Sequence, residues 1–209
     1  MIAAVVLAAG LSSRMGKLKA TLPIDPVRPD GDTFLTTILR TLSAGGVSDI
    51  VVVVGHKADT VVDSVTQRQL QPRFVLNRDY ASGQLSSLLC GLRAIDRAGV
   101  DAMLMTLVDV PLFRASTVRA VIDRYAATGA PVVRPVAEQD GIKGAKHGHP
   151  VLIARPLFAE LYGADPAAGA KPVVRRHVSE EGSIEIDDPG AFLDVDTPAD
   201  YERLFGRSE

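Results

Sequence analysis

Two short, unbroken apolar runs limit the folds open to this chain: Ile2–Ala8 and residues 50–54, both rich in β-branched residues and closely followed by Gly10 and Gly55. A run without polar alternation suits a strand buried on both faces, as in a parallel sheet. Between them Phe34, Leu35, Ile38, Leu39 and Leu42 recur at helical spacing, and Gly45 and Gly46 supply a stop. The result is a β-loop-α-β unit. The pattern then repeats, with strands expected at Arg73–Leu76 and Ala102–Leu107 and helices at residues 86–98 and 116–127. Such alternation predicts an α/β fold, a three-layer α/β/α arrangement with a mostly parallel, doubly wound sheet.

Further strands are expected at residues 131–136, 150–154 and 183–186. Residues 138–148, rich in Gly, Lys and His, read as a mobile surface loop and a candidate lid. Residues 23–32 read as an exposed excursion. Thr197, Pro198 and Asp200 signal the start of a last helix, with a hydroxyl cap, a proline in the first turn and an acid beside it. No repeat or low-complexity linker interrupts the chain, so residues 1–209 read as a single domain of a size that buries a substantial core.

A net charge of -2 lacks the basic excess that a nucleic acid backbone demands, so no nucleic acid partner is expected. The single cysteine, Cys90, excludes an internal disulfide, and the first residues lack the basic start of a signal peptide. No apolar run approaches the roughly 20 residues needed to span a bilayer. A soluble, cytoplasmic protein with no membrane partner is expected.

Ligands of doubly wound sheets bind beyond the carboxyl ends of the strands. The first such loop follows Leu7 and Ala8 and carries Ala9, Gly10, Ser12, Ser13, Arg14, Lys17 and Lys19. Glycines permit tight turns with exposed amides, while hydroxyls and cations add affinity for anions, so the loop suits a polyphosphate. An ordinary solvated loop with surface lysines is the alternative. The loop lacks G-x-x-x-x-G-K followed by Ser or Thr, and its glycines do not match G-x-G-x-x-G, which disfavours a P-loop ATPase and a nicotinamide dehydrogenase.

The stretch A-A-G-L-S-S-R-M-G-K-L-K resembles the signature L-A-A-G-x-S-x-R-M-G-x-x-K of the MobA-like nucleotidyltransferases, specifically the molybdenum cofactor cytidylyltransferase branch. The resemblance continues through N-R-D-Y-A-S-G-Q-L-S-S-L, V-D-V-P, G-H-P and D-V-D-T-P, in the expected order along almost the whole chain. It implies a Rossmann-like nucleotidyltransferase fold and transfer of a nucleotide to a phosphorylated small-molecule acceptor, with pyrophosphate leaving. Leu7, Ala8, Ala9, Gly10, Ser12 and Ser13 then belong to the nucleotide site, together with Gly83, Gln84, Ser86 and Ser87 from the second motif.

Asp109 and Asp196 resemble the family's magnesium positions, and two carboxylates completed by triphosphate oxygens and water suit Mg2+. Taken singly, an Asp before proline also suits a turn, and an Asp beside Thr197 also suits a helix cap. Asp194 alternates with Asp196 along an extended segment and is expected to point away. Lys19 and Arg14 resemble the phosphate-binding cations; with Asp109 they form the expected catalytic set, stabilising charge without exchanging protons. Lys19 is expected to contribute charge and little packing.

His149 and Lys171 are the acceptor-side candidates, Arg175 being an alternative to Lys171 and a solvated helix face an alternative to both. His147 and His149 form an H-x-H pair with no third ligand nearby, which disfavours a transition-metal site. The guanylyltransferase branch has glycine where this chain has Ala9, and the extra methyl implies CTP. In this branch the acceptor is the molybdenum-bearing pterin phosphate, with delivery to a molybdoenzyme partner. A cytidylyltransferase for a sugar or polyol phosphate and a noncatalytic cofactor carrier are the alternatives.

Overall fold

The computed structural model describes residues 1–28, 30–139 and 142–206. Its first half runs β1 (Ile2–Ala8), α1 (Phe34–Ala44), β2 (Asp49–Val54), α2 (Ala58–Thr66), β3 (Arg73–Leu76), α3 (Gln84–Ile95), β4 (Ala102–Leu107) and α4 (Ala115–Thr128). The second half adds β5 (Val132–Gln139), β6 (Ile142–His147), β7 (Val151–Ala154), α5 (Phe158–Tyr162), α6 (Lys171–Arg176), β8 (Ser183–Glu185) and α7 (Pro198–Phe205).

Alternate side chains of a strand face opposite sides of its sheet, and β1 is apolar on both. Ala4 and Val6 pack with Leu35, Ile38 and Val118 from α1 and α4, whereas Val5 and Leu7 pack with Leu88 and Leu92 of α3. Helices therefore cover both faces, giving the expected three layers. α3 lies close to the sheet because Gly91 stands over β1 and β2, where a Cβ would strike the side chains of Val5 and Val53. The starts of α1 and α7 are fixed by reciprocal capping boxes, Thr33 with Thr36 and Thr197 with Asp200.

The sheet order is β3-β2-β1-β4-β7-β5-β6, with β8 also paired to β5. β1 pairs in parallel with both β2 and β4. The chain winds outward from β1 through β2 to β3, then returns to place β4 on the other side of β1. The loops after β1 and β4 consequently diverge, and the crevice between them is the topological switch point where ligands bind in such sheets. Beyond β4 the sheet becomes mixed: β7 is antiparallel to β4 and β5, and β6 is antiparallel to β5.

One expectation is corrected here. Residues 138–139 and 142–147 are not a loop: β5 continues to Gln139, and β6 returns antiparallel beside it. Residues 140 and 141, the rest of the expected lid, lie outside the described residues. The pairing of β6 rests on backbone hydrogen bonds at the end of the sheet order, where a strand needs no continuous apolar face, so its polar composition concealed it. Among the described residues, no helix is long and apolar enough to cross a membrane.

Candidate active site

The loop after β1 folds back on itself. Ser12 adopts a left-handed φ of 51°, and its carbonyl accepts hydrogen bonds from the amides of Met15 and Gly16 at 3.1 and 3.0 Å. The Lys19 amide donates to Ser12 Oγ at 3.2 Å. This folded loop leads into a short 3-10 turn, Lys19–Thr21, and turns the Lys19 side chain inward, where it is only 8% exposed. Burying an ammonium is costly unless it is paired. Here Lys19 Nζ donates to Asp109 Oδ2 at 3.2 Å and to Asp196 Oδ1 at 2.6 Å. Arg14 Nη2 reaches the same Asp196 oxygen at 3.0 Å from a largely exposed position.

Asp109 emerges just past β4. The Val195 amide donates to its carbonyl at 2.8 Å, which draws the extended segment carrying Asp194 and Asp196 alongside. The amides of Asp196 and Thr197 both donate to Asp200 Oδ2, so the cap of α7 holds that segment in place. Asp194 does not line the cleft; burial first, then the charge of Asp109, pushes its carboxyl above the ordinary value.

Asp109 Oδ1 is buried and has no hydrogen-bond partner among the described residues. Such an orphaned oxygen beside a second carboxylate suits a hard cation such as Mg2+. Among the described residues no three Asp, Glu, His or Cys side chains form a ready metal cage. Asp109 and Asp196 would accordingly hold the ion, with phosphate oxygens and water as its other ligands.

These groups edge a cleft of about 280 Å³. Leu7, Ala8, Ala9 and Gly10 line it from the end of β1, and Ser12, Ser13, Arg14 and Lys19 from the loop. Gly83, Gln84 and Ser87 contribute the start of α3, facing Asp109 and Asp196. Gly83 has φ of 112°, a conformation that side chains resist, and it brings the first turn of α3 up to the cleft.

Ser86 lines neither this cleft nor the next cavity. Its hydroxyl lies within hydrogen-bond distance of the Asp79 and Gly83 carbonyls and accepts from Asn77 Nδ2 at 2.9 Å. Asn77, buried, also donates to Ser87 Oγ at 3.0 Å, fixing the wall from behind. Sequence reasoning missed Tyr80, which lines the cleft with its ring 6.1 Å from that of His56. Its only signal was an aromatic residue three positions before Gly83.

A second cavity, of about 640 Å³, adjoins the first and shares Leu7, Gln84 and Leu107 with it. Both acceptor-side candidates, His149 and Lys171, line it, as do Arg134, His147 and Arg175. His149 is half-buried, and its buried Nδ1 has no hydrogen-bond partner among the described residues. Burial pushes its pKa down, against the opposing influence of Asp194, a backbone hydrogen bond with Met105 and the charge of Asp109.

The β1 loop at the switch point of the doubly wound sheet, with Asp109 and Asp196 beside it and a second cavity adjoining, has the chemistry expected of a nucleotidyltransferase. The chain belongs to the MobA-like NTP transferase family, whose domain pattern matches residues 4–181. It is 26% identical over 197 residues to the molybdenum cofactor cytidylyltransferase of Escherichia coli, covering 94% of this chain and 92% of that protein. A phosphoenolpyruvate guanylyltransferase from Sphaerobacter thermophilus is 27% identical, with 98% of this chain and 93% of that protein covered. The solved structure of Rv0371c from Mycobacterium tuberculosis, a complex with manganese, superposes with a TM-score of 0.71 at 26% identity over 99% of both chains.

Proposed function

We propose that residues 1–209 act as one domain that transfers CMP from CTP to the molybdenum-bearing pterin phosphate, using Mg2+ held by Asp109 and Asp196. The observation that carries this reading is the meeting of Lys19, Asp109 and Asp196 at the edge of the β1 loop. An acceptor phosphate oxygen bonds to the α-phosphorus of CTP as the α–β bridge breaks and pyrophosphate leaves. A phosphate dianion is already a nucleophile, so no proton need move. The bound metal supplies Lewis-acid stabilisation of phosphoryl charge. Arg14 and Lys19 stabilise charge on the departing pyrophosphate, while the start of α3 and the Ala8–Gly10 backbone seat the nucleotide.

Ala9, only 2% exposed and on the cleft wall, supports the choice of a pyrimidine on steric grounds. The similarity to the Escherichia coli enzyme supports the acceptor. Cytoplasmic residence and delivery of the product to a molybdoenzyme go with the same reading. The test is pyrophosphate release by the purified protein with CTP or GTP, magnesium, and either the molybdenum cofactor or a panel of sugar and polyol phosphates. Release with CTP and the cofactor alone is expected. Turnover of a sugar phosphate alone reassigns the acceptor, equal use of GTP removes the base assignment, and cofactor binding without pyrophosphate release makes the chain a carrier.

A further inference from the structure

The two segments that meet at the cleft share a small apolar core. Met15 and Leu22 of the β1 loop are buried with Phe34, the first residue of α1, and with Val195, separately from the larger clusters on the two faces of the sheet. Residues 9–18 and 193–197 belong to no strand or helix, so no ladder of sheet hydrogen bonds sets their separation. Met15 follows Arg14 and Val195 precedes Asp196; packing the two apolar side chains into one cluster therefore brings the cation to the carboxylate. The last helix, α7, completes the cluster. Tyr201, Leu204 and Phe205 pack on it. The Tyr201 ring lies 6.0 Å from that of Phe34 and 5.1 Å from that of Phe205, tilted in both cases, separations at which aromatic contacts are favourable.

The Tyr201 hydroxyl donates to the Pro23 carbonyl at 2.8 Å, across 178 positions of sequence. Burial first, then the charges of Asp25 and Glu202, push the phenol up, so the proton in this bond is retained. Pro23 lies just past the 3-10 turn that starts at Lys19, and Asp196 stands just before the cap of α7. One side chain thus joins the exit of the Lys19 turn to the helix whose cap holds Asp196. Tyr201 lines neither the nucleotide cleft nor the larger cavity beside it, so it reaches the chemistry only through these neighbours. We propose that Tyr201 is a positioning residue: it sets how closely Lys19 and Arg14 approach Asp196, and thereby the affinity of the cleft for metal and triphosphate. This inference rests on the nucleotidyltransferase reading of that cleft. An error of about 1 Å in such a site is enough to cost about 100-fold in rate, which gives a tie of this kind its leverage.

The test compares Tyr201→Phe and Tyr201→Leu in the full chain with Val65→Ala, a core truncation in α2 that lines neither the cleft nor the cavity. Mn2+ affinity is read by electron paramagnetic resonance with α,β-methylene CTP present, affinity for that analogue by calorimetry, and Tm by thermal unfolding. Tyr201→Phe keeps the ring and loses one hydrogen bond, and should weaken Mn2+ about threefold. Tyr201→Leu should weaken both Mn2+ and the analogue at least about tenfold. Val65→Ala should lower Tm yet leave both affinities within about twofold, since a change in stability alone does not move them. Unchanged Mn2+ affinity in Tyr201→Phe, or a loss in Tyr201→Leu no larger than in Val65→Ala, overturns the inference while wild-type binding leaves the wider reading standing. The phenylalanine variant decides the matter if Tyr201→Leu fails to fold. Failure of wild type to bind Mn2+ and the analogue overturns both.

Discussion

Lys19 Nζ lies 2.6 Å from Asp196 Oδ1 and at the same time 3.2 Å from Asp109 Oδ2, so one ammonium spans the two carboxylates assigned to the metal. The buried lysine is therefore an ion-pair hub of the fold, unlike the lightly packed loop cation expected from sequence. Lys19→Ala should lower turnover by about 100- to 1,000-fold and also lower Tm in the absence of metal, because it leaves two carboxylates facing each other. Magnesium should restore part of that Tm loss. Lys19→Arg keeps the charge with altered reach and should recover only part of the rate. Pyrophosphate release and thermal unfolding with and without magnesium check both effects; unchanged kinetics in Lys19→Ala would reduce the residue to a structural ion pair.

Asp109→Asn preserves shape while removing the carboxylate charge, whose Oδ1 has no partner among the described residues. Turnover should fall at least about 100-fold, and the magnesium concentration for half-maximal rate should rise. A magnesium titration of the variant decides the matter. Normal turnover at limiting magnesium would remove Asp109 from the metal site.

Ala9→Gly opens space on the cleft wall and should narrow the preference for CTP over GTP without reversing it. Removing a steric block is worth about 1–3 kcal/mol, whereas recognising a purine requires new hydrogen bonds. The ratio of kcat/KM for the two nucleotides is the measurement. A ratio that does not change would place base discrimination elsewhere, with Tyr80 the next residue to vary.

Gly91→Ala tests how α3 is held against the sheet. Alanine favours an isolated helix by about 1 kcal/mol, but its methyl group would enter the space of Val5 and Val53. Overpacking should prevail, for a net loss of about 1–2 kcal/mol. Chemical denaturation measures the loss. A stabilised variant would show that the helix retreats without cost.

Asp49 gives a pH dependence. Burial alone would raise its pKa, but hydrogen bonds and charge from Arg97 and Arg73 outweigh burial and hold the carboxyl below its ordinary value of 3.8. A carboxyl depressed in the folded state stabilises fully above its unfolded value and loses that contribution as pH falls through the folded one. Asp49→Asn should cost about 1–2 kcal/mol near pH 7, or roughly 2–6 °C in Tm. The gap between variant and wild type should close as pH drops below 3.8. Parallel melts across that range check the sign.

The parallel half of the sheet was legible because β1, β2 and β4 must be apolar on both faces, and that leaves continuous β-branched runs. The cleft was legible for a related reason: glycines, hydroxyls and cations cluster where the first of these strands ends. β6 was hidden because pairing at a sheet edge is a property of the backbone. α5 and α6 are too short to build a periodic signal. Asp194 was expected to point away by alternation, and it does not line the cleft that Asp109 and Asp196 edge. Arg134 lay within a run read as strand, and nothing local to it foretells that it lines one cavity with Arg175 of α6.

The antiparallel pairing of β7 with β4 divides the labour of the sheet. The parallel strands on one side present the β1 loop, while β5, β6 and, above them, α6 supply the polar wall of the neighbouring cavity. On the reading proposed above, acceptor choice is modular: exchanging the segment from β5 to α6 between relatives should graft a new acceptor preference onto an unaltered nucleotide reader, provided the strap that carries Asp196 back to Lys19 is left in place.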